Sequence, residues 1–518
     1  MTREFEVKLE IPAAAASKVM RLPWLWELAS GELRASRIAS TYYDTPKYAL
    51  RERGITLRVR RVGTTCLQTI KAAANGAALP IERYEWEEEI VGDEPELKLA
   101  AGTPLDGISR KKLRRSLAPC FEVQVDRSAF PIQSANSAIE VAIDRANIVG
   151  PNAASFCEIE LELKRGASSE LARIARRIAS EVPAALALTT KADRGFALRQ
   201  GLQPQPCDAE PIAMSAATRV GEAFQTIGWS CLRHFALNRD AVEFGDTRAV
   251  RQMRVGIRRL RAAITMFRRL LDGPETDAVD AELHWLADEL RPAREHDVFL
   301  EETLTPMQAT HMDPAALAAL CADARTRRQA ALERAKAAVT SDRYRQLVLR
   351  TALWLIAAEW SDKWELGRHQ PSRRVGAFAS RTLRQQTKRV LNDLRRFSRL
   401  DDAGRAELRA GLRELGYAAE FFAGVFAKKN RARTAFLATV RRLLVSLDRL
   451  KDFAVHERLH REFMEGWTAE AAEALADTTQ KAFALGFALG QQELAREACL
   501  RAVEKDGARL AALDPSWG

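Results

Sequence analysis

Glu4-Phe5-Glu6-Val7-Lys8 and Glu158-Ile159-Glu160-Leu161-Glu162-Leu163-Lys164 are two stretches, far apart in a chain of 518 residues, in which charge recurs at every second position. Each reads as a β-strand with one charged face, because successive side chains of a strand point to opposite sides. Phe5, Val7 and Leu9 share the other face of the first strand. That arrangement is wrong for an ordinary sandwich core and right for a polar-lined barrel whose apolar side packs outward, under helices or a neighbouring domain. Two such strands facing one another have the chemistry to hold divalent cations against a phosphate chain, since hard cations take carboxylate oxygen and offset phosphate charge.

Working outward from these two strands, residues 1 to about 200 carry further alternating runs at Ile55–Val62, Leu67–Lys71, Tyr84–Ile90, Phe121–Arg127 and Ile139–Asp144. Many short strands of this kind indicate a barrel or sandwich. By parity, Arg58 and Arg60 share a face, as do Glu85, Glu87 and Glu89, then Glu140 and Asp144; Lys71 and Arg127 close other strands, and Lys191 and Arg194 follow a helical stretch. Inward charges of both signs need each other, water, metal or ligand, because burying isolated ions costs several kcal/mol each. Arginines and lysines suit phosphate oxygens, and carboxylates suit the accompanying cations.

The segment 201–214, with Pro204, Pro206 and Pro211, reads as a linker. From Ser215 onward Ala, Leu, Arg and Glu recur at helical spacing, which predicts a helical bundle. The chain is therefore expected to be an α+β two-domain protein, with a strand domain at 1–200 and an all-α domain at 215–518. A shift of 155 residues superimposes Arg254, Gly256, Arg258, Leu260, Ala263 and Phe267 on Arg409, Gly411, Arg413, Leu415, Ala418 and Phe422, and Arg294 and Asp297 on Arg449 and Asp452. A fixed offset across two separate helices predicts a duplicated helical unit. Residues 250–271 contain no acidic residue. Met253, Ile257, Leu260, Ile264, Phe267 and Leu271 form an apolar stripe, beside which Arg251, Arg254, Arg258 and Arg261 form a cationic one, with Arg259 among them. Such concentrated like charge favours a polyanion over a plain solvated face.

A net charge of +11, from 80 basic and 69 acidic residues, is a mild bias toward polyanions. The seven cysteines are scattered without a CxxC spacing, against a disulfide framework or a zinc site. No basic and apolar leader is visible, and the longest apolar run is too short for a bilayer, so a cytoplasmic location is expected and a membrane is not. The arginines lack interleaved aromatic residues, which disfavours single-stranded nucleic acid as the partner.

Residues 1 to about 200 resemble the CYTH family, the triphosphate tunnel metalloenzymes. The family's ExExK stands here as Glu4-Phe5-Glu6-Val7-Lys8, and the similarity continues through Tyr42-Tyr43-Asp44-Thr45-Pro46, Leu50-Arg51-Glu52-Arg53-Gly54, Leu57-Arg58-Val59-Arg60-Arg61, Gln68-Thr69-Ile70-Lys71, Cys157 to Lys164 and Lys191-Ala192-Asp193-Arg194-Gly195. The resemblance implies an eight-stranded antiparallel barrel forming a tunnel. It implies that Lys8, Arg58, Arg60, Lys71, Arg127, Lys191 and Arg194 bind the phosphate chain, and that Glu4, Glu6, Asp144, Glu158, Glu160 and Glu162 hold Mg²⁺ or Mn²⁺. Glu85 is one candidate, beside the metal-binding carboxylates, for orienting the attacking water. The expected activity is hydrolysis of inorganic triphosphate, with a nucleotide-directed activity (adenylate cyclase or nucleoside triphosphatase) and a binding protein with little turnover as alternatives.

The region from Ser215 to the C-terminus resembles the CHAD family, a two-repeat helical domain. The resemblance rests on the arginine-rich helix and on Arg294-Glu295-His296-Asp297-Val298, where Glu295 replaces the family's Asp. It implies inorganic polyphosphate binding by Arg251, Arg254, Arg258, Arg259, Arg261, Arg409 and Arg413, and association with polyphosphate granules. Arg251 and Ala406 stand at the positions of the family's histidines, and Glu414 and Gly416 replace basic residues of the second repeat, so the first repeat is expected to contribute more.

Overall fold

The computed structural model describes residues 2–73, 82–108, 113, 115–150, 152–309, 313–360, 374–426, 430–470 and 475–517. The chain divides into two compact units. The first comprises 1–205, 228–237 and 342–369; the second comprises 206–227, 238–341 and 370–518.

The first unit is built on one antiparallel sheet. Its strands are β1 (Thr2–Ile11), β2 (Arg34–Asp44), β3 (Ile55–Val62), β4 (Thr65–Ala73), β5 (Glu82–Ile90), β6 (Ala118–Ser134), β7 (Ser137–Val149), β8 (Ala154–Arg165) and the two-residue β9 (Ala185–Leu186). The order is β5-β4-β3-β2-β6-β7-β8-β1-β9. β1 spans the two ends: its later residues pair with β8, from Glu6 opposite Glu162 to Ile11 opposite Cys157, while its first residues meet β5, from Thr2 opposite Glu85 to Phe5 opposite Glu82. Eight strands thus form a ring completed by only four residue pairs, a barrel in the loose sense, with β9 as a ninth strand on β1.

Alternation puts the hydrophobic core outside this ring. Val7 and Leu9 of β1 and Ile159 and Leu161 of β8 are fully buried, under a helix from Ser168 to Glu181 whose Leu171, Ile174, Ala175 and Ile178 are also fully buried. Leu57, Val59, Ile70 and Ile90 of β3, β4 and β5 pack outward against Ala100, Leu105 and Leu113. With its apolar residues committed outward, the sheet turns its charges inward. One end is covered by a ten-residue helix, Lys191–Gln200, started by a capping box in which Thr190 and Asp193 bond each other's backbone N–H.

We number the helices used below α1 (Ser168–Glu181), α2 (Lys191–Gln200), α3 (Thr247–Met266), α4 (Arg291–Val298), α5 (Val375–Leu394), α6 (Asp402–Phe421), α7 (Arg431–Glu470) and α8 (Leu475–Ala511). In the helical unit, α3 and α6 obey the 155-residue offset to the residue. Asp246 and Asp401 are their N-caps, accepting from Ala249 and Gly404, and Phe267 and Phe422 are their C-caps with φ, ψ of −99°, 13° and −97°, 15°. The duplication read in the sequence is therefore structural, and the two C-cap rings meet at 6.3 Å.

A buried histidine gives this unit an acid-sensitive point. His456 of α7 is 3% exposed, its Nδ1 lies 2.6 Å from Gln492 Nε2 on α8, and its ring packs edge-on to Phe299. Burial pushes its pKa down to about 4. The unfolded chain, titrating near 6.5, takes up the proton first, so this contribution to stability is present above pH 6.5 and is lost as pH falls toward 4, by about 3 kcal/mol. Melting curves of the wild type and His456→Gln between pH 7 and 4 should show the wild type losing stability faster; parallel curves would contradict this.

Candidate active site

The inward charges line a cavity of about 370 Å³, and the side chains form three distinct walls. The first wall, on β1, β7 and β8 with contributions from β6 and α2, is a closed network of ion pairs. Arg127 of β6 forks onto Asp144, with Nε to Oδ1 at 2.7 Å and Nη2 to Oδ2 at 2.6 Å, and also reaches Glu160. Lys8 bonds Glu160 and lies 3.1 Å from Glu6. Lys191, the first residue of α2, places its ammonium 2.8 Å from Asp144 Oδ2 and 2.8 Å from Glu160 Oε1, and bonds Glu158 as well.

Strand register explains why these groups converge. Asp144 sits opposite Glu158 on β8 and opposite Arg127 on β6, and Lys8 sits opposite Glu160, so neighbouring strands deliver acid and base to one level. Burial alone would favour neutral forms, but the charges outweigh it. Glu160 is held well below the usual carboxylate range against burial by Lys191, Lys8 and Arg127. Lys8 and Lys191 are likewise held above the ordinary lysine value against burial, mainly by Glu160. Glu158 goes the other way: burial dominates, and its pKa is raised.

The second wall, on β3, β4 and β5, is loosely paired. Arg58 lies 3.6 Å from Glu85, Arg60 lies 3.6 Å from Glu87, and Lys71 lies 3.4 Å from Glu85. Nε and Nη2 of Arg58 and Nε of Arg60 are buried without a hydrogen-bond partner. Buried donors of this kind cost free energy until an acceptor arrives. The third wall, on β2 and β6, is nearly neutral: Ile38, Ser40, Tyr42, Val123 and Val125.

Asp144, Glu158 and Glu160 offer oxygens that all lie within 4.8 Å of one another. An all-carboxylate donor set suits Mg²⁺ or Mn²⁺. Glu158 Oε2 is buried with no hydrogen-bond partner, so one ligand lone pair is already unspent. The residues present therefore fit a divalent cation.

Of the residues expected to form the site, Glu6, Lys8, Arg58, Arg60, Lys71, Glu85, Arg127, Asp144, Glu160, Glu162 and Lys191 line the cavity, and Glu158 backs it against Lys191. Glu162 is ion-paired with Lys164 at 2.6 Å, apart from the three-carboxylate group. The side chain of Glu4 lies outside the described residues. Arg194 is placed differently from the expectation: it pairs with Glu10 and lies 4.6 Å over the ring of Phe156, outside the cavity lining. Glu10 was overlooked, although it continues the alternation of Glu6 and Lys8. Tyr42, stacked on Phe121 at 4.8 Å and hydrogen-bonded to Arg58, lines the cavity as well, a role that no charge alternation signals.

In the helical unit the expected arginines split. Arg254, Arg258, Arg409 and Arg413 gather between the repeats with Tyr417 and Asp448. Burial, and then Arg258 beside it, presses Arg254 down to about 10; burial is also the main cause of the lowered values of Arg258 and Arg409. Nε of Arg258 and Arg409 has no hydrogen-bond partner. Arg251 is exposed, and Arg261 bonds Asp280 at 2.9 Å. Arg259 departs from the expectation: it is fully buried, with Nη2 2.6 Å from Glu420 and the guanidinium over Phe421. It ties α3 to α6 and presents nothing to a ligand. The second repeat supplies Arg409 and Arg413 to the same cluster.

Two family models match separate stretches of the chain. The CYTH domain model matches residues 2–196 and the CHAD domain model matches residues 226–461. The crystallised CHAD domain from Ricinus communis is 30% identical, with a TM-score of 0.50, over 60% of this chain and 98% of that one. An inorganic triphosphatase from Haemophilus influenzae is 25% identical over 201 residues, 38% of this chain and 55% of the relative, so the chain spans about half the length of that curated protein. A Hippeastrum protein described as having a dominant triphosphatase activity is 15% identical over 38% of this chain and 96% of its own, with a TM-score of 0.26. The protein belongs to the CHAD family and carries a CYTH domain before its CHAD domain. No described helix is long and apolar enough to cross a membrane.

The site's geometry makes one direct demand. Glu160 accepts from Lys8, Arg127 and Lys191 at once, so Glu160→Gln leaves three half-buried cations without their shared negative charge and with one acceptor oxygen fewer. The melting temperature should fall by several degrees at neutral pH, corresponding to about 3 kcal/mol. An unchanged melting temperature would show that the network is not held as described.

Proposed function

We propose that the strand domain is a metal-dependent hydrolase of inorganic triphosphate. The observation that carries this reading is the opposition of two charged walls across one cavity: three convergent carboxylates on one side, and arginines with unfilled donors on the other. A linear polyanion with bound cations satisfies both walls at once, whereas a free anion or a free cation satisfies one.

In this reading Arg58, Arg60 and Lys71 grip the phosphate chain, supported by Lys8 and Arg127, and fix it against the carboxylate wall. Asp144, Glu158 and Glu160, assisted by Glu6 and Glu162, would hold Mg²⁺ or Mn²⁺. Held there, such a cation would supply neutralisation of the charge developing on the phosphoryl oxygens. Phosphoryl transfer needs alignment and charge stabilisation more than covalent help. Glu85, which lies between Arg58 and Lys71, would be the carboxylate that orients the attacking water. Replacing Arg58 with Ala should lower kcat/KM for tripolyphosphate by about 100-fold.

The CHAD domain, on the same proposal, binds inorganic polyphosphate through Arg254, Arg258, Arg409 and Arg413. The support is electrostatic: guanidinium groups crowd one another and keep unfilled donors, so an arriving polyanion relieves both costs. The protein would then be cytoplasmic and drawn to polyphosphate granules. The double variant Arg258→Ala, Arg413→Ala should weaken polyphosphate binding by at least about tenfold and flatten its salt dependence; unchanged affinity would remove the cluster from the site.

The deciding experiment is phosphate release from tripolyphosphate, ATP and long-chain polyphosphate with Mg²⁺, Mn²⁺ or EDTA. Release chiefly from tripolyphosphate, abolished by EDTA, is expected. Preferential attack on ATP would make this a nucleotide enzyme, and binding without turnover would make it a polyphosphate-binding protein.

A further inference from the structure

The ammonium of Lys191 stands where a divalent cation would be expected to stand. Its three donors are spent on Asp144, Glu158 and Glu160, the same three residues whose oxygens converge within 4.8 Å. A divalent ion bound to those oxygens would lie within a few ångströms of that ammonium, and two like charges do not share a carboxylate cage.

The cavity as a whole is balanced in charge. Among the described residues, seven carboxylates and seven basic groups line it. A free cation therefore meets acids already paired with Lys8, Arg127 and Lys191, whereas one that arrives with triphosphate brings those bases a replacement partner and fills the open donors of Arg58 and Arg60.

Lys191 is held there by its helix. Ala192 lines the cavity, Asp193 closes the capping box, Arg194 pairs with Glu10, and Gly195 lies flat on Phe121, where a Cβ would come within 2.0 Å of the ring. Every residue of Lys191-Ala192-Asp193-Arg194-Gly195 thus serves to seat α2 with its first side chain in the carboxylate group. The four-carbon stem of lysine is flexible enough to withdraw from the cage while α2 stays docked.

We infer that Lys191 is an internal surrogate cation, which a divalent ion must displace from Asp144, Glu158 and Glu160, so that metal and triphosphate enter the tunnel as a coupled pair by exchange of ion-pair partners. This rests on the proposed reading of the tunnel as a metal-assisted triphosphate site. Coupling of this kind is reciprocal: each ligand raises the affinity of the other by the same factor.

The test is calorimetric titration of Mn²⁺ alone into the full-length protein, with no phosphate present. Lys191→Met should bind Mn²⁺ at least tenfold more tightly than the wild type, and Lys191→Arg, which keeps the charge, should bind it weakly. Gly195→Ala, which lifts α2 from Phe121 without altering any charge, should also bind more tightly, and it serves where Lys191→Met folds poorly. Melting temperatures should agree, with Mn²⁺ raising that of Lys191→Met by more than that of the wild type. Equal or weaker Mn²⁺ binding by both Lys191→Met and Gly195→Ala would overturn the inference. Adding Glu160→Gln separates the two layers: if Mn²⁺ still binds Lys191→Met with undiminished affinity once Glu160 is gone, the carboxylate assignment itself fails, whatever the role of Lys191.

Discussion

Everything in the strand domain depends on one constraint: the charges enclosed by the sheet must be compensated inside it. The outward face of β1 and β8 is occupied by Val7, Leu9, Ile159 and Leu161, all fully buried, so the charged face has nowhere to go but in. Once inside, carboxylates on adjacent strands would repel strongly at low effective dielectric. Lys8, Arg127 and Lys191 remove that repulsion on one wall, and Glu85 and Glu87 do the same for the arginines of the other. The resting tunnel is thus a set of internal salts, and on the proposed reading a ligand would enter by replacing partners.

The two walls differ in how tightly those salts are made. Contacts on the carboxylate wall are direct hydrogen bonds, such as the 2.7 Å and 2.6 Å fork of Arg127 on Asp144, whereas those on the arginine wall stand at 3.4 to 3.6 Å with donors left over. The arginine wall is therefore ready for an anion with little rearrangement. The carboxylate wall has to let go of an ammonium first. The crowded guanidinium groups of the helical unit follow the same logic with fewer internal salts: burial and then Arg258 lower the affinity of Arg254 for the proton, burial and Arg413 lower that of Arg258, and Asp448 serves both Arg409 and Arg413.

Much of this was legible in the sequence because period-two alternation ties charge directly to a face. Glu6, Lys8, Arg58, Arg60 and Glu160 could be assigned inward from spacing alone, and the 155-residue offset located both repeats. Three features were not legible. The ring is completed by pairing between the first residues of β1 and β5, a long-range register that no local pattern encodes. The direction of Arg194 is decided by Glu10 and Phe156, which approach it only after α2 has docked. Arg259 was grouped with its neighbours because helical spacing shows one apolar stripe on α3. The helix in fact also buries Arg259, which turns toward Glu420 of α6.

The central claim is the division of labour between the two walls, and crystals of the protein soaked with Mn²⁺ and a non-hydrolysable triphosphate analogue address it most directly. The account predicts anomalous Mn²⁺ density among Asp144, Glu158 and Glu160, with the phosphorus chain running along Arg58, Arg60 and Lys71. Metal density elsewhere in the tunnel, or a phosphate chain lying away from the arginine wall, would contradict it.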